Sequence, residues 1–323
     1  MRTATIVLLL GLSASFGANA GDVPAKPFTP DSSVFKVLAE NPNGTINIGS
    51  GVLVAPGKLV TNCHVTRAAS RIDVIRGTMK WRVKSQSRDI QHDVCILSAP
   101  GVVGEVPSFA QANELKTGET VHAVGYPGGG KLNSSDGRIV ALHHYDGANV
   151  IQISASFTLG QSGGGLFDEE GHLVGIITFK ARAGGLFHFA LPMEWVSIAL
   201  AMSASSASRL DQLADKAFWE HPSEEQPYFM QAASFEAEKN WNKLLAFAQG
   251  WTEADAANAG AWIAKGKALH HLNHDFEAVS AFQEAVRLDP SYVQDRHQLQ
   301  AVYRDRGGKL LLRNTRVAFT KSD

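Results

Sequence analysis

The chain has 323 residues, 44% hydrophobic and 19% charged, a mixture that excludes a disordered or coiled-coil chain and, at roughly 150 residues per domain, predicts two domains. Thirty Lys and Arg against 31 Asp and Glu leave a formal charge of −1, which argues against nucleic acid as a partner. Two cysteines are too few for a disulfide-built scaffold, so a packed core must hold the fold.

Arg2, the apolar run from Ile6 to Leu12 and the small-residue step Ala18-Asn19-Ala20 read as a secretory signal peptide over residues 1–20. The run is shorter than the roughly 20 residues needed to cross hydrocarbon, and no later run is long enough. The expectation is a periplasmic or secreted protein, with no membrane insertion after cleavage, in a compartment where disulfides persist.

From Val34 to Pro192 the chain consists of short β-branched runs separated by Gly, Pro, Asn and Asp, among them Gly51–Val54, Ile72–Ile75, Val94–Leu97, Val150–Ile153 and Leu173–Ile177. Strand-length runs at this spacing predict an all-β barrel or sandwich, closed by a helix over Met193–Met202. A small, polar stretch, Ser203 to Ser208, then gives way to Ala, Glu, Gln and Lys at helical spacing.

The glycine-rich turn Thr158-Leu159-Gly160-Gln161-Ser162-Gly163-Gly164 lets successive backbone N–H groups converge beside one serine, and a serine nucleophile needs a histidine base held by a carboxylate. His64 follows the strand-like Leu59–Thr61, and Asp93 precedes Val94–Leu97. Asp89 is a rival carboxylate, whereas Asp73 sits inside an alternating strand. These residues, with Gly49–Val54, Gly125-Tyr126-Pro127 and Phe189–Pro192, resemble the trypsin-like serine peptidases, in particular their bacterial HtrA-like branch, over residues 34 to 200. The resemblance implies a double six-stranded β-barrel with Ser162 as nucleophile, His64 as general base, Asp93 as orienting carboxylate and the N–H groups of Gly160 and Ser162 as oxyanion hole. It also implies a protein or peptide substrate and no cofactor. Gln161 stands where the trypsin branch has Asp, so no activation by a newly cut amino terminus is expected. Thr178, Phe179 and Lys180 resemble the strand that pairs with substrate, and His188 lies where it could reach the specificity pocket. Because the triad would bring their neighbours together, Cys63 and Cys95 are candidates for a disulfide, against the alternative of two buried thiols.

In the C-terminal part, Trp262, Gly266, Leu269, Ala278, Phe282, Ala285 and Pro290 fall at the intervals of a tetratricopeptide (TPR) repeat and resemble that family. Positions 34 residues away, at Tyr228, Ala232 and Phe235 and at Arg296, Gln300 and Tyr303, are weaker neighbours. The expected organisation is a signal peptide over 1–20, a trypsin-like peptidase domain over 21–202, a linker over 203–225, TPR-like repeats over 226–310 recruiting a protein partner or substrate, and a tail over 311–323. No triad residue lies beyond Ser162, so this reading makes the barrel catalytically self-sufficient. A catalytically inactive barrel serving with the repeats as a binding scaffold is the alternative.

Two further patterns carry no chemistry on this reading. Gly125 to Lys131 approaches a phosphate-binding loop, but Leu132 replaces the magnesium-binding hydroxyl and a turn, not a helix, follows. His270, His271 and His274 have metal-ligand spacing, yet no cysteine or acidic pair completes a site, so no metal is expected.

Overall fold

The computed structural model describes residues 30–110, 115–183, 185–205 and 215–290. The expected leader, the third repeat positions Arg296, Gln300 and Tyr303, and the tail lie outside the described residues. The β-branched stretch folds into two antiparallel sheets. The first holds β1 (Val34–Glu40), β2 (Ile46–Ala55), β3 (Lys58–Asn62), β4 (Arg71–Arg76), β5 (Met79–Arg82), β6 (Ser85–Asp89) and β7 (Val94–Ser98), in the order β5-β4-β1-β2-β3-β7-β6. β1 alternates buried and half-buried residues along most of its length, whereas β2, β3 and β7 carry runs buried on both faces.

Seven strands stand here where six were expected, and the hydrogen bonding explains the count. The Val83 N–H donates to Ile72 on β4, and the next N–H, of Lys84, donates to Ser98 on β7. One long strand therefore bends at Val83 and Lys84, leaves one edge of the sheet, joins the other and rolls the sheet into a barrel. The second sheet comprises β8 (Thr120–Gly125), β9 (Asn133–Tyr145), β10 (Ala148–Ile153), β11 (Gly165–Phe167), β12 (Leu173–Ala183) and β13 (Gly185–Pro192), closed in the order β10-β13-β12-β11-β8-β9.

The turn after β3 is the single-turn helix α1 (Cys63–Thr66), and α2 (Met193–Met202) follows β13 directly. Among the described residues, four more helices come after a short 3₁₀ turn at Phe218–Glu220: α3 (Tyr228–Ala237), α4 (Trp241–Ala254), α5 (Ala259–His271) and α6 (Asp275–Leu288). In the α5/α6 hairpin a Cβ on Gly266 would lie 2.6 Å from the Phe282 ring, so glycine permits the close helix contact. The helices are not a separate bead. One apolar cluster runs from Phe179, Phe189 and Trp195 of the second barrel and α2 through Phe218 to Phe229 of α3 and Leu244 of α4. Phe218 and Trp219, in the stretch expected as a linker, join this packing, while residues 222–225 are exposed. Among the described residues no helix is long and apolar enough to cross a membrane.

Candidate active site

The site lies between the two barrels, and backbone geometry sets it. Asp93 occupies the loop before β7 with a left-handed backbone (φ 60°), a conformation that aspartate tolerates better than most residues. Its carbonyl accepts from the Cys63 N–H (3.2 Å) and from Asn62 Nδ2 (3.1 Å), tying this loop to the start of α1. A disulfide between Cys63 and Cys95, with Cα atoms 4.9 Å apart, ties the same two segments covalently.

The Asp93 side chain is wholly buried and accepts four hydrogen bonds. Oδ1 takes the His64 backbone N–H (2.9 Å), while Oδ2 takes His64 Nδ1 (2.8 Å), Thr178 Oγ1 (2.8 Å) and Trp219 Nε1 (3.2 Å). The carboxylate thus fixes the imidazole proton on Nδ1 and leaves Nε2 to accept. Burial acts to lower the His64 pKa, but the charge and hydrogen bond of Asp93, aided by Glu220 and opposed by Arg67, hold it above the ordinary 6.5. The rival carboxylates are engaged elsewhere: Asp89 pairs with His92 (2.7 Å), and Asp73 lies among Arg71, Lys80 and Arg82.

Ser162 sits on the glycine loop. Gly160 has φ 91°, and a Cβ there would lie 2.6 Å from the Tyr126 carbonyl, so only glycine fits against this neighbouring turn. Ser50 locks the two turns together: its hydroxyl donates to the Gly160 carbonyl (2.8 Å) and accepts from the Tyr126 N–H (2.9 Å). The phosphate-loop look-alike at Gly125 to Lys131 is therefore, over Tyr126 to Gly129, the bed of the serine loop. The buried Gln161 accepts the Thr158 N–H (2.9 Å), bracing the loop from within. The N–H groups of Gly160 and Ser162 donate to no backbone acceptor among the described residues, as an oxyanion hole requires.

The segment expected to pair with substrate, Thr178 to Lys180, lies in β12. A bulge in β12 against β13, between Ile177 and Lys180, turns Thr178 inward, where its hydroxyl reaches Asp93 and its carbonyl accepts from Ser162 Oγ (3.1 Å). The Phe179 ring is buried, stacked on Phe189 and Trp219 rather than open to substrate. Lys180 pairs with His188 across β12 and β13, and His188 is buried edge-on to Phe157. Of the C-terminal histidines, His270 meets Asp275 and His271 stacks on Trp241, so they do not converge. Among the described residues, Asp168, Glu170 and His172 come within 4.8 Å of one another, but His172 already pairs with Asp168.

Sequence reasoning missed Trp219, Glu220, Arg67 and Ser50. The first two sit in a stretch that reads as a linker, where only the adjacent aromatics Phe218 and Trp219 hint at burial.

Residues 49–176 match the family model described as the trypsin-like peptidase domain. Over this region the chain is similar to trypsin-like peptidase domains. Its relatives include the serine protease Rv3671c of Mycobacterium tuberculosis, 31% identical over 140 residues, which are 40% of this chain and 35% of that protein. The periplasmic pH-dependent serine endoprotease DegQ of Escherichia coli is 29% identical over 180 residues, 53% of this chain and 36% of that protein. The chain thus spans about a third of the length of these curated relatives. Among solved structures, the active form of the Rv3671c protease superposes with a TM-score of 0.51 at 28% identity, covering 58% of this chain and 86% of that one. Both relatives are HtrA-like serine proteases, and the matched family model ends at residue 176, before the C-terminal helices.

Proposed function

We propose that the protein is an exported serine endopeptidase that cleaves peptide bonds with Ser162, His64 and Asp93, and that its helices recruit a protein partner or substrate. The observation that carries this reading is the buried Asp93 carboxylate bonded to both the backbone N–H and Nδ1 of His64, beside a serine on a glycine loop. On this reading Ser162 Oγ attacks the scissile carbonyl and its proton passes to His64 Nε2. Asp93 stabilises the imidazolium that forms, and the N–H groups of Gly160 and Ser162 receive the developing oxyanion. His64 then protonates the departing amine, and the resulting ester on Ser162 is hydrolysed by water through the same base.

Export is supported by the leader-like residues 1–20 and by the disulfide, which persists only in an oxidising compartment. Partner recruitment is supported by the repeat-like spacing on α5 and α6. A second reading, an inactive scaffold, draws on the Ser162 hydroxyl, which bonds Thr178 instead of His64. A fluorophosphonate probe separates the two. Labelling of the full-length chain that disappears in Ser162→Ala supports the peptidase, and absence of labelling supports the scaffold.

A further inference from the structure

The segment from Ala217 to Gln226 clamps both halves of the His64–Asp93 pair. The Phe218 N–H donates to Gln91 O (3.0 Å), two residues before Asp93. Glu220 forms a two-pronged pair with Arg67, just beyond the helix that carries His64, and also caps the Ala217 N–H (3.0 Å). Gln226 bonds the Trp219 and His221 carbonyls (3.0 and 2.9 Å), holding the turn in shape. Between these anchors the Trp219 indole lies flat on Phe179 (5.1 Å), stands edge-on to the His64 ring (5.3 Å) and donates to Asp93 Oδ2. We infer that Trp219 is a positioning residue of the peptidase, supplied from outside the barrel, and that the C-terminal segment therefore completes the active site.

The inference rests on the peptidase reading and deepens it. A carboxylate with no exposure and one fewer donor is less well held, and an imidazole that loses its edge contact has more room to turn. Each additional donor on Oδ2 also draws off charge that Asp93 otherwise offers to His64. The charged groups facing His64 are Asp93, Glu220 and Arg67, and all three remain when Trp219 is changed to Phe. Trp219→Phe keeps an aromatic ring on Phe179 while removing the N–H along with part of the indole, and loss of that donor moves the acid limb of reactivity to higher pH. A ring that merely shields the site predicts no such movement.

The test measures fluorophosphonate labelling of Ser162 against pH in the full-length chain, separating the maximal rate from the half-saturating concentration. Trp219→Phe is expected to lower the maximal rate about tenfold, the size of one hydrogen bond to a charged group, with little change in half-saturation and with the acid limb raised. In parallel, the NMR titration of the His64 imidazole is expected to move upward in the variant. Unchanged rate and titration in a folded Trp219→Phe protein overturn the inference, as does faster labelling through tighter probe binding, which identifies Trp219 as an obstruction. If the variant does not fold, the wild-type protein decides: the Trp219 indole N–H resonance must titrate in step with His64, and an indole signal independent of His64 overturns the assignment. No labelling of the wild-type chain overturns the peptidase reading itself, a result distinguishable from all of these.

Discussion

The Ser162 hydroxyl donates to the carbonyl of Thr178 at 3.1 Å, and Thr178 in turn donates its own hydroxyl to Asp93 at 2.8 Å. One threonine thus touches both the nucleophile and the orienting acid. On the proposed peptidase reading, Ser162 has to leave the Thr178 carbonyl and rotate about χ1 toward His64 Nε2 before attack, a hop between staggered wells. Thr178→Val keeps the shape and removes the donor to Asp93. We expect kcat/KM to fall about tenfold to a hundredfold with the melting temperature little changed, measured by steady-state cleavage of a fluorogenic peptide and by calorimetry.

Ser162→Ala and His64→Ala are each expected to lower kcat by about 10⁴–10⁶-fold while leaving the fold intact. The double variant should lose almost nothing more, because nucleophile and base act as one unit. Multiplication of the two single defects contradicts the assignment. Far-ultraviolet circular dichroism of all three variants checks the fold.

The acid limb of kcat/KM should lie above pH 6.5, because the base must be neutral and its pKa is raised. Burial acts against that shift, and Asp93 and then Glu220 supply it. Glu220→Gln removes one anion and should move the limb to lower pH, the opposite direction from Trp219→Phe. The linkage to stability follows the same sign: a raised histidine pKa stabilises the fold below pH 6.5 and loses that contribution as pH rises through the folded value. The melting-temperature difference between wild type and His64→Ala should therefore narrow as pH rises through that range.

His143 supplies a second pH dependence at the junction of barrel and helices. Its ring stacks on Phe229 of α3 (4.6 Å) and Nε2 bonds Gln152 (2.8 Å). Burial, with a smaller push from Lys267, lowers its pKa to about 4 despite the Gln152 bond. The unfolded chain then binds the proton first, so stability falls as pH drops from 6.5 toward 4, by roughly 2–3 kcal/mol. Urea unfolding at pH 7 and pH 4.5 measures the loss, and His143→Phe should remove most of it.

The Cys63–Cys95 bridge spans 32 residues and joins the segments that carry base and acid. In chain-entropy terms it contributes about 3–4 kcal/mol, so reduction should lower the melting temperature by about 6–16 °C. Alkylation of unreduced protein followed by mass spectrometry should find both cysteines blocked. Two alkylated cysteines in protein purified under oxidising conditions contradict the bridge.

The strand runs at Gly51–Val54, Ile72–Ile75, Val94–Leu97 and Val150–Ile153, and the helix at Met193–Met202, were legible in the chain because hydrophobic periodicity is a local property. The serine loop was legible for a similar reason: glycines at 160 and 163 are demanded by backbone angles that the loop itself adopts. Asp93 could be preferred over Asp89 only through resemblance, since both flank the same strand run. Tertiary packing separates them, giving His92 to Asp89 and His64 to Asp93. The inward turn of Thr178 depends on a one-residue bulge against β13, which no residue of β12 announces by itself. Trp219 lay furthest from reach. Its contact with Asp93 spans 126 positions and is set by a polar stretch docking against two elements of the barrel. Composition and periodicity report what a segment does with its own neighbours in the chain. The side chains that hold a buried carboxylate are chosen by what three-dimensional packing brings within hydrogen-bond reach.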